Sequence, residues 1–241
     1  MYCYVYDHYK ENNLTTDVLL LKSLELYLKE SSFDGKLIKG ADGKPKTEVE
    51  HTEDGKPYFV AVPEGVDMEM PQCSVSHTGS IWACVISDMQ VGVDIECVRE
   101  RKFEKISAKY FTASEQEYVF GCTCTKGADG LCNLCGESRC IVNPQSYRVR
   151  ERFFEIWTRK EAYGKLLGTG LGEGALYLDT FANGRVAGED VDRGKSDVIF
   201  KRVELPPEIP GANDGPGRGI ICTCCSREER DIKTRIIEMI L

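Results

Sequence analysis

The stretch VGVDIE, residues 91–96, constrains the fold more than any other part of the chain. Its apolar start reads as a buried strand, and successive strand side chains point to opposite faces, so Asp94 and Glu96 share one. Two carboxylates placed this way repel each other unless a cation lies between them. Any architecture that accepts this strand must bury its first half and open its acidic end onto a charged site. The alternative is a strand that frays after Val93 and leaves both acids in solvated loop, and the rest of the chain has to decide between them.

The flanking pattern is mixed helix and strand. DVLLLKSLELYLKE, residues 17–30, sets Leu20, Leu21, Leu24, Tyr27 and Leu28 on one face at helical spacing, with Asp17 placed to cap. DGKP occurs twice, at 42–45 and 54–57, as turns, the second leading into the short strand YFVAV. SIWACVIS and VGVDIE flank the three residues DMQ, a hairpin signal. Residues 103–118 are helical with an interruption, and Thr112 followed by Glu115 matches a capping box. RERFFEIWTRKEAYGKLLG predicts a strong helix ending at Gly168. Near the C-terminus GIICTCCS followed by TRIIEMIL resembles the earlier pair. The reading is therefore α+β: a pseudo-twofold pair of similar halves, 1–100 and 101–241, each a helix packed on a small antiparallel sheet.

Composition narrows the function. A net charge of −8 argues against a general nucleic-acid binder, which needs clustered Lys and Arg, so an anionic substrate must be met by a few basic residues or by metal. No apolar run approaches the roughly 20 residues that span a bilayer, and MYCYVYDHYK lacks the basic-then-apolar order of a secretory signal. A cytoplasmic protein is expected, and its 12 cysteines are expected as reduced thiols or metal ligands.

In WTRKEAYGK the residues Trp157, Glu161 and Lys165 stand four apart and share a helix face. Taken alone, Glu161 and Lys165 read as an ordinary surface ion pair beneath a core tryptophan. Taken with GVDIE, they add a third carboxylate and an ammonium group, the components of a magnesium–phosphate site. GVDIE and WTRKEAYGK, together with GKPYF (55–59), SVSHTG (74–79) and YFTASEQEY (110–118), resemble the 4'-phosphopantetheinyl transferases in their longer, two-halves, surfactin-synthetase-activating form. The match in motif order runs from about Gly55 to Leu171.

The resemblance implies a holo-carrier-protein synthase. It would transfer the 4'-phosphopantetheine arm of coenzyme A to a serine of an apo acyl or peptidyl carrier protein, with Mg2+, releasing 3',5'-ADP. It implies Asp94, Glu96 and Glu161 as Mg2+ ligands. Glu161 is the first candidate for general base and Glu115 the other, with Lys165 stabilising the attacked phosphate and Lys160 able to reach the same group. Lys56 and Pro57 are implied to border the adenine of coenzyme A, and Ser76 and His77 to approach its phosphates. Carriers of fatty-acid, polyketide or non-ribosomal peptide synthesis are the implied partners, with neither nucleic acid nor membrane, and two fused halves fit a monomer. The glycines of GTGLGEG, 168–174, follow a helix instead of opening one, and read as helix termination.

One segment departs from the family. Between Tyr118 and Trp157 the chain is about twice the expected length, and Cys122, Cys124, Cys132 and Cys135 form two close thiol pairs with the spacing of a tetrahedral zinc site, with Cys140 as a possible substitute. The expectation is that a zinc-stapled insert at about 121–140 helps select the carrier. The cysteines of CTCC, 222–225, read as small core residues. Two other classes remain open at this point: a Mg2+-dependent phosphohydrolase using the same carboxylates on water, and a non-catalytic zinc-binding adaptor.

Overall fold

The computed structural model describes residues 1–31, 47–61, 70–121, 146–172, 178–180, 185–186, 198–212 and 219–238. Their elements run β1 (Tyr2–Tyr6), α1 (Thr16–Glu30), β2 (Thr47–His51), β3 (Pro57–Ala61), β4 (Gln72–Thr78), β5 (Ile81–Ser87), β6 (Val91–Cys97), α2 (Phe103–Tyr110), α3 (Ala113–Phe120), α4 (Tyr147–Leu167), β7 (Leu178–Asp179), β8 (Arg185–Val186), β9 (Ile199–Arg202), β10 (Ile220–Ser226) and β11 (Lys233–Ile236). The architecture is mixed α+β, as the sequence pattern predicts.

The larger sheets have the orders β11-β1-β5-β4 and β6-β10-β9. The hairpin expected from SIWACVIS and VGVDIE does not form. β5 is paired on both edges, with β1 and with β4, and has no edge left for β6. The chain instead crosses at Asp88–Gln90 into the second sheet, where β6 pairs antiparallel with β10 from Val91↔Ser226 to Cys97↔Ile220. The similar C-terminal pair also separates, β10 lying between β6 and β9 while β11 runs parallel to β1. All seven residues of β5 and of β10 are buried, so neither strand shows a polar alternation that would have named its neighbours.

Each of these sheets carries one long helix. α1 lays Leu19, Leu20, Leu24 and Tyr27 on Tyr2, Tyr4, Tyr6, Trp82 and Ile86 of the first sheet. Fully burying each such side chain contributes roughly 1.5–3 kcal/mol. Its cap is Thr15, whose hydroxyl accepts the Val18 amide at 3.3 Å, while Asp17 sits in the first turn, where the helix dipole favours an acid. Between the sheets Cys3, Val5 and Val85 meet Val93, Ile95, Cys222 and Cys224. The CTCC thiols are core residues: Cys222, Cys224 and Cys225 are buried, and burial raises the pKa values of Cys224 and Cys225, while a hydrogen bond with Cys3 and then burial raise that of Cys222. α4 covers the outer face of the second sheet through Ala162 and Leu166, packed with Cys225, and through Phe153, Phe154 and Ile156, packed with Ile221 and the α2–α3 aromatics.

The closest approach in this layer is at Gly92. A Cβ there would lie 1.9 Å from the Ala162 carbonyl oxygen and 2.8 Å from the Leu166 nitrogen, both backbone atoms of α4. The glycine of GVDIE thus lets helix and strand meet without a side chain between them. α4 ends at Gly168 in the left-handed conformation (φ 77°), the termination expected of GTGLGEG.

Candidate active site

The close approach at Gly92 brings the acidic end of β6 against the face of α4 that carries Glu161 and Lys165. β6 remains a strand through Cys97, so Asp94 and Glu96 project from one face and do not fray into loop. Asp94, Glu96, Glu161, Lys165 and Trp157 line one cleft of about 580 Å³, with Pro57, Ser76 and His77 also in its wall. That volume lies within the usual range for small-molecule sites. A smaller cavity of about 220 Å³ shares Gly55, Pro57, Val75 and Lys165 with it and adds Lys56, Gly168 and Gly170.

The carboxylates differ in their partners. Asp94 is 5% exposed; its Oδ1 accepts hydrogen bonds from Lys165 Nζ at 2.8 Å and Ser76 Oγ at 2.8 Å. Its Oδ2 is buried with no partner among the described residues. Glu96 pairs with Arg99 at 3.1 Å and faces Arg101 at 3.9 Å; burial raises its pKa, Asp94 adds to the rise, and the two arginines and the Trp157 indole oppose it. The Glu161 carboxyl is pushed up to about 7, by burial first and then by Asp94 and Glu96, with Lys165 and Arg101 pulling the other way.

An alternating set of hydroxyls joins β4 to this strand. Ser74 Oγ accepts the Val93 amide at 3.0 Å, Ser76 Oγ the Ile95 amide at 3.3 Å and Thr78 Oγ1 the Cys97 amide at 3.1 Å. Thr78 Oγ1 also reaches Glu96 Oε2 at 3.5 Å. The two sheets are thereby stitched at the site by side chains.

The donor set fits magnesium. Three carboxylates facing one cleft, Asp94 among them offering a buried oxygen without a partner among the described residues, suit a hard cation. Among the described residues no three His, Cys, Asp or Glu side chains already form a metal cage. Magnesium does not require one, since it takes one or two carboxylates and completes its octahedron with water and phosphate oxygens.

Two sequence-derived candidates are placed elsewhere. Glu115 is fully buried: it closes the capping box with Thr112, accepts from the Thr180 amide and hydroxyl at 2.8 and 2.7 Å, and pairs with Lys160 at 3.0 Å. Lys160 is likewise fully buried and donates to the Leu178 carbonyl at 2.8 Å; burial lowers its pKa, opposed by Glu115. Lys160 adjoins Glu161 in sequence, but the helical turn of about 100° per residue sends it into the core. Among the described residues neither lines the cleft, and the two form a buried pair instead. Lys56 borders the smaller cavity, where its ammonium donates to the Leu166 carbonyl at 3.2 Å, at the C-terminal turn of α4. His77 is exposed, with its ring 5.4 Å from Tyr9. Cys122, Cys124, Cys132 and Cys135 lie outside the described residues, as does most of the insert.

The cleft also holds residues that the motifs missed. Arg101 lines it, and the basic residues directly after GVDIE were the available signal. Thr16 and His51 line it too, delivered by α1 and the β2–β3 hairpin, and no local pattern marks them.

A 4'-phosphopantetheinyl transferase superfamily model matches residues 90–193, which include both β6 and the Glu161–Lys165 face. The chain is also 23% identical over 172 residues to the 4'-phosphopantetheinyl transferase gsp of Aneurinibacillus migulanus, covering 71% of this chain and 55% of that protein. The chain thus spans about half the length of that relative. Among the described residues no helix is long and apolar enough to cross a membrane. Residues 90–193 are thus the stretch in which the chain is similar to the 4'-phosphopantetheinyl transferase superfamily.

Proposed function

We propose that this protein transfers the 4'-phosphopantetheine arm of coenzyme A to a serine of an apo carrier protein, with Mg2+, releasing 3',5'-ADP. The observation that carries the reading is the convergence, in one cleft, of Asp94 and Glu96 from β6 with Glu161 and Lys165 from α4. All four fall within the stretch that matches the transferase superfamily.

Asp94, Glu96 and Glu161 would hold Mg2+ against the pyrophosphate of coenzyme A. When bound, the ion offsets charge on the phosphates and on the departing 3',5'-ADP. Lys165 stands beside Asp94 at the cleft wall and neutralises the phosphate under attack. The carrier serine hydroxyl bonds to the β-phosphorus, the bond from that phosphorus to the bridging oxygen breaks, and the hydroxyl proton passes to a carboxylate. Glu161, in the cleft wall, is the candidate to take it, and in that role it leaves Asp94 and Glu96 as the metal ligands. Pro57 and His77 line the wall that coenzyme A would meet. The helix-on-sheet layers of α1 and α4 are read as the two halves, 1–100 and 101–241, with β6 and β11 exchanged between them. The seven free cysteines among the described residues fit a reducing, cytoplasmic setting, and two fused halves fit a monomer.

The test follows 3',5'-ADP release from coenzyme A and Mg2+ with and without apo carrier proteins of fatty-acid, polyketide and peptide synthesis. Release that depends on a carrier supports the transferase. Equal release without any carrier replaces it with a phosphohydrolase acting on water.

A further inference from the structure

Resting on the reading of the cleft as a magnesium–pyrophosphate site, we propose that Ser76 is a positioning residue that aims Asp94 at the metal, and that it does not ligate phosphate. Its neighbours Ser74 and Thr78 join β4 to the same strand.

β6 is an edge strand of its sheet, with β10 on one side. Backbone amides at Val93, Ile95 and Cys97 face β4 and receive no backbone carbonyl; each goes to a hydroxyl, on Ser74, Ser76 and Thr78 in turn. The three rungs keep one constant offset, and side chains two apart on β4 match amides two apart on β6. A slip of one residue would break all three rungs and turn Asp94 and Glu96 to the opposite face.

Ser76 does more than hold register. A serine hydroxyl has one proton and two lone pairs. One lone pair accepts the Ile95 amide, and the proton is donated to Asp94 Oδ1. Lys165 donates to the same oxygen. Two donors therefore occupy Oδ1 and turn the carboxylate so that Oδ2, buried and without a partner among the described residues, is the oxygen left to accept a ligand. Such an arrangement presents Asp94 through one oxygen, as magnesium's tight octahedron prefers. A phosphate oxygen is an acceptor at neutral pH, and Ser76 has no second proton to offer it while Asp94 holds the first. Ser74 supplies the internal control, since it makes the equivalent amide bond at Val93 and has no hydrogen bond to a carboxylate among the described residues.

The test uses the full chain and the variants Ser76→Ala, Ser76→Thr and Ser74→Ala. Mn2+ binding is read by electron paramagnetic resonance, coenzyme A binding without metal by calorimetry, and folding by thermal melts. Outer-sphere partners of metal ligands typically change metal affinity by roughly 10- to 100-fold. Ser76→Ala should weaken Mn2+ binding by about 10-fold or more, Ser76→Thr should restore most of it, and metal-free coenzyme A affinity should not change. Ser74→Ala should lower the melting temperature and leave Mn2+ affinity near wild type. The proposal is overturned if Ser76→Ala binds Mn2+ normally but loses metal-free coenzyme A affinity, or if Ser74→Ala weakens Mn2+ binding equally. Failure of the wild-type protein to bind Mn2+ would remove the metal reading itself, and this proposal with it.

Discussion

Replacing Gly92 with alanine should damage activity more than stability. The added Cβ would stand 1.9 Å from the Ala162 carbonyl oxygen and 2.8 Å from the Leu166 nitrogen. Ordinary nonbonded contact is about 3.5 Å, so α4 must withdraw from β6 by roughly 1.5 Å. Both obstructing atoms are helix backbone, and no side chain can swing aside to absorb the clash. Overpacking of this kind costs typically about 1–3 kcal/mol, which a folded domain can survive. The same movement carries Glu161 and Lys165 away from Asp94, opening the 2.8 Å Lys165–Asp94 contact toward about 4 Å. Misplacing catalytic groups by about 1 Å costs on the order of 100-fold in rate. Urea unfolding of Gly92→Ala beside a carrier-modification assay checks both numbers. A variant that unfolds like wild type and retains more than about a tenth of its rate would refute the claim that close helix–strand contact sets the site.

Glu161 predicts a pH dependence of stability. Its carboxyl is raised from an ordinary 4.5 to about 7, so the folded state binds this proton more tightly and stability falls as pH rises from about 4.5 to about 7, then levels. Glu161→Gln should therefore melt higher than wild type at pH 8 and close to it at pH 4, with a difference of roughly 1–2 kcal/mol after allowing for water at the cleft mouth; equal melts at pH 8 would count against the assignment. Lys160→Met should cost about 3–5 kcal/mol in urea unfolding, because it strands the buried Glu115 carboxylate, and adding Glu115→Gln should recover part of the loss. A loss of less than about 1 kcal/mol in the single variant would contradict a buried Lys160–Glu115 ion pair.

The site was more legible in the sequence than the fold around it. Strand periodicity placed Asp94 and Glu96 on one face, helical spacing placed Glu161 with Lys165, and Trp157 followed from the same four-residue step. Each of these rules is local, and local geometry survives whatever the chain does elsewhere. Strand pairing is not local. β5 and β10 are buried along their whole length, so no polar alternation marks their partners, and the hydroxyls of Ser74, Ser76 and Thr78 that join β4 to β6 follow no backbone rule. The placement of Lys160 and Glu115 away from the cleft was hidden for a related reason. A charged residue beside a motif residue looks available in one dimension, and only the packing of α3 on α4 shows that the two are paired in the core. Thr16 and His51 reach the cleft across the fold from sequence-distant elements, and no spacing rule could have named them.

The most direct test of the central claim is the intact mass of an apo carrier protein after incubation with this protein, coenzyme A and Mg2+, beside an Asp94→Ala control. The account predicts a gain of one phosphopantetheine arm on the carrier with the wild-type chain and none with the variant. A gain of equal size with Asp94→Ala, or none with the wild type on any of several unrelated carriers, would contradict it.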